Sequence, residues 1–178
     1  QELITISPPD RVLDRALLDA PGGFVWWYMD LLDDAGNGLV MIWSWGLPFL
    51  PGLAAAARRG EPTPPRERPS LNVAIYQGWQ LECYLLQEYT PEQAEWGEDG
   101  WTWRMGESTL RVTRGDHGVR LEAELDCAIP ATEDRLRGTI ELEGVARRAH
   151  AGAPREVDPH HDWTPLVGPA RGRAELTQ

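Results

Sequence analysis

The hydrophobic pattern is strongest over Gly22–Leu50, GGFVWWYMDLLDDAGNGLVMIWSWGLPFL. Two runs of strand-forming residues flank a loop of Asp, Gly and Asn, which predicts a β-hairpin. Side chains alternate faces along a strand. On the first run Phe24, Trp26, Tyr28 and Asp30 share one side, and Val25, Trp27, Met29 and Leu31 share the other. On the second, Leu39, Met41, Trp43, Trp45 and Leu47 oppose Val40, Ile42, Ser44 and Gly46. An antiparallel sheet with one wet face alternates apolar and polar residues. A ribbon apolar on both sides needs two surfaces to pack against. One is the interior of its own sheet; the other is a ligand, a membrane or a second protein unit.

The rest of the chain reads as short strands separated by turns. Ser70–Gln77 is a strand, and Gly78 is a kink into Gln80–Gln87. Trp101 and Trp103 open a short strand with both indoles on one face, and Leu110 and Val112 pattern the next. Over Val119–Ile129, Leu121, Ala123, Leu125 and Cys127 face inward while Arg120, Glu122, Glu124 and Asp126 face water. Arg135–Glu143 repeats the pattern with Leu136, Ile140 and Leu142, and Pro165–Leu176 is a last extended stretch. Ala54–Pro69 reads as a Pro- and Arg-rich connection, Ala146–Pro159 as a loop, and Arg11–Leu18 as the one candidate helix. Meandering strands of this length make an all-β antiparallel barrel or a flattened sandwich. The chain divides into an N-terminal arm at 1–21, a barrel at 22–160 and a linker with a final strand at 161–178.

Leu39–Ala57 carries no charge and is long enough to cross a bilayer as a helix. Gly46, Pro48, Pro51 and Gly52 break that helix. The better reading is a strand over Leu39–Leu47, followed by a greasy loop or short helix over Pro48–Ala57, a lip able to touch a membrane surface. Cytoplasmic placement is expected, with peripheral membrane contact as a variant.

Composition narrows the chemistry. The net charge of -11 in 178 residues argues against a nucleic-acid partner. All 17 basic residues are Arg, so Lys Schiff-base chemistry and a phosphate-loop lysine are excluded. Cys83 and Cys127 make no disulfide framework and no CxxC motif, and read as small core residues. Ser44, Ser70 and Ser108 have no nucleophile motif around them. His117 lies in a Gly-Asp-His-Gly turn and His150 in a loop. His160, His161 and Asp162 suggest a metal, but neighbours on a strand point to opposite faces, so no metal is expected there. No signal peptide is visible.

Three segments carry a resemblance: Trp26-Trp27-Tyr28-Met29-Asp30, then Leu71-Asn72-Val73, then Trp163-Thr164-Pro165-Leu166 with Pro169-Ala170-Arg171. In that order they resemble the N-terminal half of the acyclic carotenoid 1,2-hydratases and their lipocalin-like relatives. The resemblance implies a protein of two lipocalin-like barrels that adds water across a terminal prenyl double bond. The second barrel would begin where this sequence stops. The polar approach to the Leu71 strand is Arg66-Glu67-Arg68-Pro69-Ser70, where relatives often carry His.

Hydration of that kind protonates an olefin carbon, leaves a tertiary cation and lets water attack it. No metal or organic cofactor is needed. A cation is stabilised by aromatic faces, by about 0.5–2 kcal/mol each. Trp26, Tyr28, Trp43 and Trp45 form one such wall if the hairpin pairs Trp26 with Trp45 and Tyr28 with Trp43. A one-residue slip in register would separate them. Asp30 lies on the Tyr28 side, and burial among aromatics would favour its protonated form. Asp30 and Tyr28 are therefore the candidate catalytic residues, and Trp26, Trp43 and Trp45 the candidate ligand-binding residues. The competing expectations are a module that binds an apolar isoprenoid or polyene without reaction, a cyclase-type pocket, and a domain whose hairpin docks a second barrel or another chain.

Overall fold

The computed structural model describes residues 5–6, 15–115, 118–146, 162–163 and 167–177. Helical structure among them is confined to short pieces, and the architecture is all-β. The strands are β1 (Thr5–Ile6), β2 (Val25–Leu32), β3 (Gly38–Trp45), β4 (Pro69–Gln77), β5 (Gln80–Glu88), β6 (Ala94–Trp96), β7 (Thr102–Met105), β8 (Ser108–Gly115), β9 (Gly118–Ala128), β10 (Arg135–Ala146), β11 (Asp162–Trp163) and β12 (Val167–Thr177).

Two antiparallel sheets make the body of the molecule. One has four strands in the order β2-β3-β4-β5; the other has six in the order β12-β10-β9-β8-β7-β6. A parallel pair, β1 with β11, stands apart from both. Among the described residues the two sheets share no ladder, so the fold is a flattened sandwich rather than a closed barrel. At one edge they approach through side chains: a Cβ on Gly172 of β12 would run into the Leu31 side chain of β2.

Tryptophan fills the space between the sheets. Trp27 lies 5.6 Å from Trp101 and 5.5 Å from Trp103, and Trp45 lies 5.7 Å from Trp96 and 4.4 Å from Trp103, ring centroid to ring centroid. The Trp45–Trp103 pair is edge-on, at 82° between ring planes. Indole N–H groups of Trp27, Trp43, Trp96 and Trp103 are buried without an oxygen acceptor. Edge-to-face packing turns ring edges toward neighbouring π faces, which partly offsets the missing hydrogen bond. Met41, Val73, Met105, Leu110, Leu121 and Ile140 complete the core.

The alternation over Val119–Ile129 holds, with Val119, Leu121, Ala123, Leu125 and Cys127 buried. The outward residues of β8, β9 and β10 form a charged surface, in which Arg120 pairs with Glu122 at 3.0 Å. Asp126 bonds Arg135, and that bond is the first reason its carboxyl is held below the usual range. Cys127 is buried beside Ser108, Sγ to Oγ 3.4 Å; Cys83 is half-buried on edge strand β5.

Several expected elements shift. Gly78 does not kink one strand but begins a turn between two: Gly78 and Trp79 have φ of 55° and 68°, the two positive values of a tight hairpin turn. The helix expected over Arg11–Leu18 is, where described, a 3-10 turn at Arg15–Asp19. The lip after β3 holds one short helix, α1 (Leu53–Arg58). No helix among the described residues is long and apolar enough to cross a membrane. The loop expected over Ala146–Pro159 lies outside the described residues except at Ala146, as do His117, His150, His160 and His161.

The hairpin loop sets the register of the ribbon. Asp33 Oδ1 accepts the amides of Ala35 (2.9 Å) and Asn37 (2.8 Å), and its Oδ2 accepts the Asn37 side-chain amide at 2.9 Å. The Asn37 side chain is the first cause that holds the Asp33 carboxyl below its usual range. Gly36 has φ 81°, and a Cβ there would fall inside the Trp79 indole. Gly36→Val therefore combines a left-handed non-glycine backbone with a clash. We expect a loss of about 1–3 kcal/mol for the strain alone, read as a lower urea midpoint, with the Trp79 emission changed. An unchanged midpoint would show that the two hairpin tips are not locked together.

Candidate functional site

Three ladders, β2 with β3, β3 with β4 and β4 with β5, place residues of the four-stranded sheet in rows. On the face turned away from the tryptophan core the rows are Trp26–Ser44–Ser70–Glu88, then Tyr28–Ile42–Asn72–Leu86, then Asp30–Val40–Ala74–Tyr84, then Leu32–Gly38–Tyr76–Leu81. The opposite face carries Trp27–Trp43–Leu71–Gln87 and Met29–Met41–Val73–Leu85, packed into the core.

This register corrects the expected aromatic wall. Trp27 faces Trp43 and Val25 faces Trp45, so Trp43 and Trp45 point into the core while Trp26 and Tyr28 point out of it. Trp43 and Trp45 are 0% and 3% exposed. The physical cause is the five-residue loop closed by the Asp33 N to Asn37 O hydrogen bond (2.9 Å), which pairs Leu32 with Gly38 and fixes every pair behind it. The expectation that Asp30 is buried among aromatics is likewise corrected: Asp30 is exposed.

The outer face divides into a covered end and an open end. At the covered end Trp26 packs 5.1 Å from Phe24 and 6.2 Å from Phe49. Leu47 and Leu50 are buried there outside the intersheet core. Arg68 bonds Glu88 at 2.6 Å and the Pro51 carbonyl at 3.1 Å, tying the segment after β3 across the sheet. Beneath lie two fully buried hydroxyls, Ser44 and Ser70, 2.8 Å apart. Asn72 is buried next to them and donates to the Leu85 carbonyl at 2.9 Å.

At the open end the apolar side chains meet water. Tyr28, Leu32, Leu81 and Tyr84 are exposed at 48%, 65%, 54% and 60%. Leu81 joins this face because the β4–β5 register shifts between Ile75 and Tyr76. Within the four rows the charged side chains are Asp30 and Glu88, and Glu88 is matched by Arg68. Among the described residues no cation pairs with Asp30. Tyr28 stands beside it; partial burial first, then the Asp30 charge and Tyr76, push the Tyr28 phenol above its ordinary value. Tyr28 is thus a neutral hydrogen-bond donor next to an ionisable acceptor, on an apolar floor.

The sequence pattern named Trp26, Tyr28 and Asp30 for this face but missed Ile42, Tyr76, Leu81 and Tyr84. The alternation of Tyr84 and Leu86 against Leu85 and Gln87 was the available signal for part of it. No group of three or more His, Cys, Asp or Glu suited to a metal occurs among the described residues.

The class so defined is a two-sheet β module with one charged outer face and one largely apolar outer face, on which Glu88 is matched by Arg68 and Asp30 pairs with no cation among the described residues. The chain is similar to the acyclic carotenoid 1,2-hydratase of Thiocapsa roseopersicina, 31% identical over 180 residues. The match takes in 96% of this chain and 40% of that protein, so the chain spans about two fifths of the relative's length. No family model matches the chain. No solved structure matches it either.

Proposed function

We propose that this chain is part of a hydratase that adds water to a terminal prenyl double bond of an apolar isoprenoid, and that the outer face of the four-stranded sheet is the surface on which the substrate reacts. The observation that carries this reading is Asp30, a carboxylate with no cation partner among the described residues, amid apolar rows and with the Tyr28 phenol two residues away on the same side. The similarity to an acyclic carotenoid 1,2-hydratase supports this choice of substrate class.

In this reading Asp30 delivers a proton to the less substituted olefin carbon. The positive charge forms on the neighbouring tertiary carbon, where the faces of Trp26 and Tyr28 stabilise it. Water adds to that carbon, and the extra proton of the resulting oxonium returns to the Asp30 carboxylate. One water is consumed and the acid is regenerated. Trp43 and Trp45 lie on the other side of the sheet, in the core, and take no part in this step.

A polyene with a terminal prenyl group, incubated with the protein, is expected to gain the mass of one water and lose the terminal double bond. Tight binding with no such product would favour the binding-module reading, and neither binding nor product would leave the face without a small-molecule role.

A further inference from the structure

We propose that the lip after β3 is a lipid-contact surface, with Phe49 as the side chain that enters the bilayer and Arg58 as the charge that meets anionic headgroups. From the lip a membrane-dissolved polyene reaches the outer face of the four-stranded sheet. That route rests on the reaction proposed above, while the lipid contact does not.

The lip is built to hold an apolar side chain in the open. The Leu50 N–H donates to the Leu47 carbonyl at 3.0 Å, closing a turn with Pro48 and Phe49 at its centre. Proline suits the second position of such a turn. Leu47 and Leu50 anchor it from both ends, at 1% and 3% exposed, and the Arg68 guanidinium donates to the Pro51 carbonyl at 3.1 Å. Phe49 is left 64% exposed, its ring 6.2 Å from Trp26, with Pro48 and Pro51 exposed on either side. Behind it α1 shows Ala54 and Ala57 to solvent and ends on Arg58.

Charge selects the occupant. The chain carries a net charge of -11, yet no Asp or Glu occurs from Ala35 to Gly60. Glu61 and Glu88, which border the lip, are matched by Arg59 and Arg68. Arg58 is exposed and, among the described residues, has no acidic partner. An apolar tip beside an unpaired arginine suits the boundary between headgroups and acyl chains. Repulsion by the remaining acids is screened over roughly 8 Å at physiological ionic strength, so the residues at the contact decide. A protein partner fits less well. Pro48 and Phe49 stand on a turn tip rather than in a flat row, and a fluid surface receives a protruding ring without a matched pocket.

The lip adjoins Trp26, at the covered end of the outer face. Asp30 lies four residues further along β2, about 13 Å away. A polyene leaving the bilayer at the lip and lying along β2 passes Trp26 and Tyr28 and brings its terminal prenyl group to Asp30, while its remainder stays in lipid. Contact at this end leaves Tyr28 and Asp30 uncovered.

Flotation with polyene-free vesicles of mixed phosphatidylcholine and phosphatidylglycerol tests the contact, in the 178-residue chain and in the full product of the gene. Wild-type protein, Asp30→Asn and Thr113→Glu are expected to float. Phe49→Glu and Arg58→Glu are expected to bind at least about tenfold more weakly, with urea midpoints unchanged because both side chains are exposed. Wild-type protein that stays unbound overturns the proposal. So does equal flotation of every variant, or flotation of the 178-residue chain alone, which would mean that protein covers the lip. The route is read from product. With the polyene in the vesicles Arg58→Glu should form at least about tenfold less than wild type, and with the polyene in detergent micelles as much. Equal product from vesicles overturns the route. No product from wild-type protein in either carrier is a failure of the hydration chemistry, and it leaves the flotation result standing.

Discussion

Trp103→Ala is expected to destabilise the protein by about 3–5 kcal/mol, among the largest effects of any single truncation. Trp103 is fully buried and is the ring that joins the two sheets. Its centroid lies 4.4 Å from Trp45 and 5.5 Å from Trp27, both on the four-stranded sheet, and 5.0 Å from Trp96 on its own sheet. Cutting it to a methyl group leaves a void that three rigid indoles cannot collapse into, because each is held by its strand register. Urea unfolding followed by far-UV circular dichroism reads the loss. Leu110→Ala, at the edge of the aromatic cluster, should cost about 2–5 kcal/mol and leave near-UV aromatic signals closer to wild type. A Trp103→Ala loss under about 1 kcal/mol would place the energetic centre of the sandwich elsewhere.

Asp30→Asn is expected to lower turnover by about 10²–10⁴-fold, the usual contribution of a general acid, with KM nearly unchanged. The carboxamide keeps the size and one acceptor of the carboxylate but cannot pass a proton to carbon. Stability should stay within about 0.5 kcal/mol, because Asp30 is exposed and its replacement opens no cavity. Those two readouts together separate a chemical role from a structural one. Turnover equal to wild type would remove Asp30 from the reaction and leave the face a binding surface. The neighbouring Tyr28→Phe keeps the aromatic face and loses the phenol, so it should reduce turnover far less than Asp30→Asn.

Much of the sandwich was readable in the chain. Alternation predicted β9 and β10 because one side of each meets the core and the other meets water, which is the condition under which period-two patterning is clean. The apolar-on-both-sides ribbon was also legible, and the structure gives it one buried side and one outer side, the latter covered around Trp26 and open around Tyr28 and Leu32. The partnering of the aromatics was not legible. It depends on whether the hairpin loop holds five residues or six, and that is decided by the hydrogen bonds of Asp33 and Asn37, which composition does not reveal. One residue of slip moved Trp43 and Trp45 from the expected wall into the core. The part played by β5 was hidden for a related reason. The register shift after Ile75 turns Leu81 outward although it alternates with Cys83 and Leu85 in sequence. Closure was undecided as well: an open sandwich and a barrel share the same strand patterns and differ only in whether the edges of the two sheets hydrogen-bond.

The account depends on the outer face of the four-stranded sheet engaging an apolar polyene. Its most direct test is polyene quenching of indole emission in the wild-type protein, Ile42→Glu and Thr113→Glu. Ile42→Glu puts a charge between Tyr28 and Asn72 on that face, and Thr113→Glu puts one on the charged sheet opposite Arg120. Saturable quenching that survives Thr113→Glu and is lost in Ile42→Glu is the predicted result; quenching of equal strength in all three proteins would contradict the account.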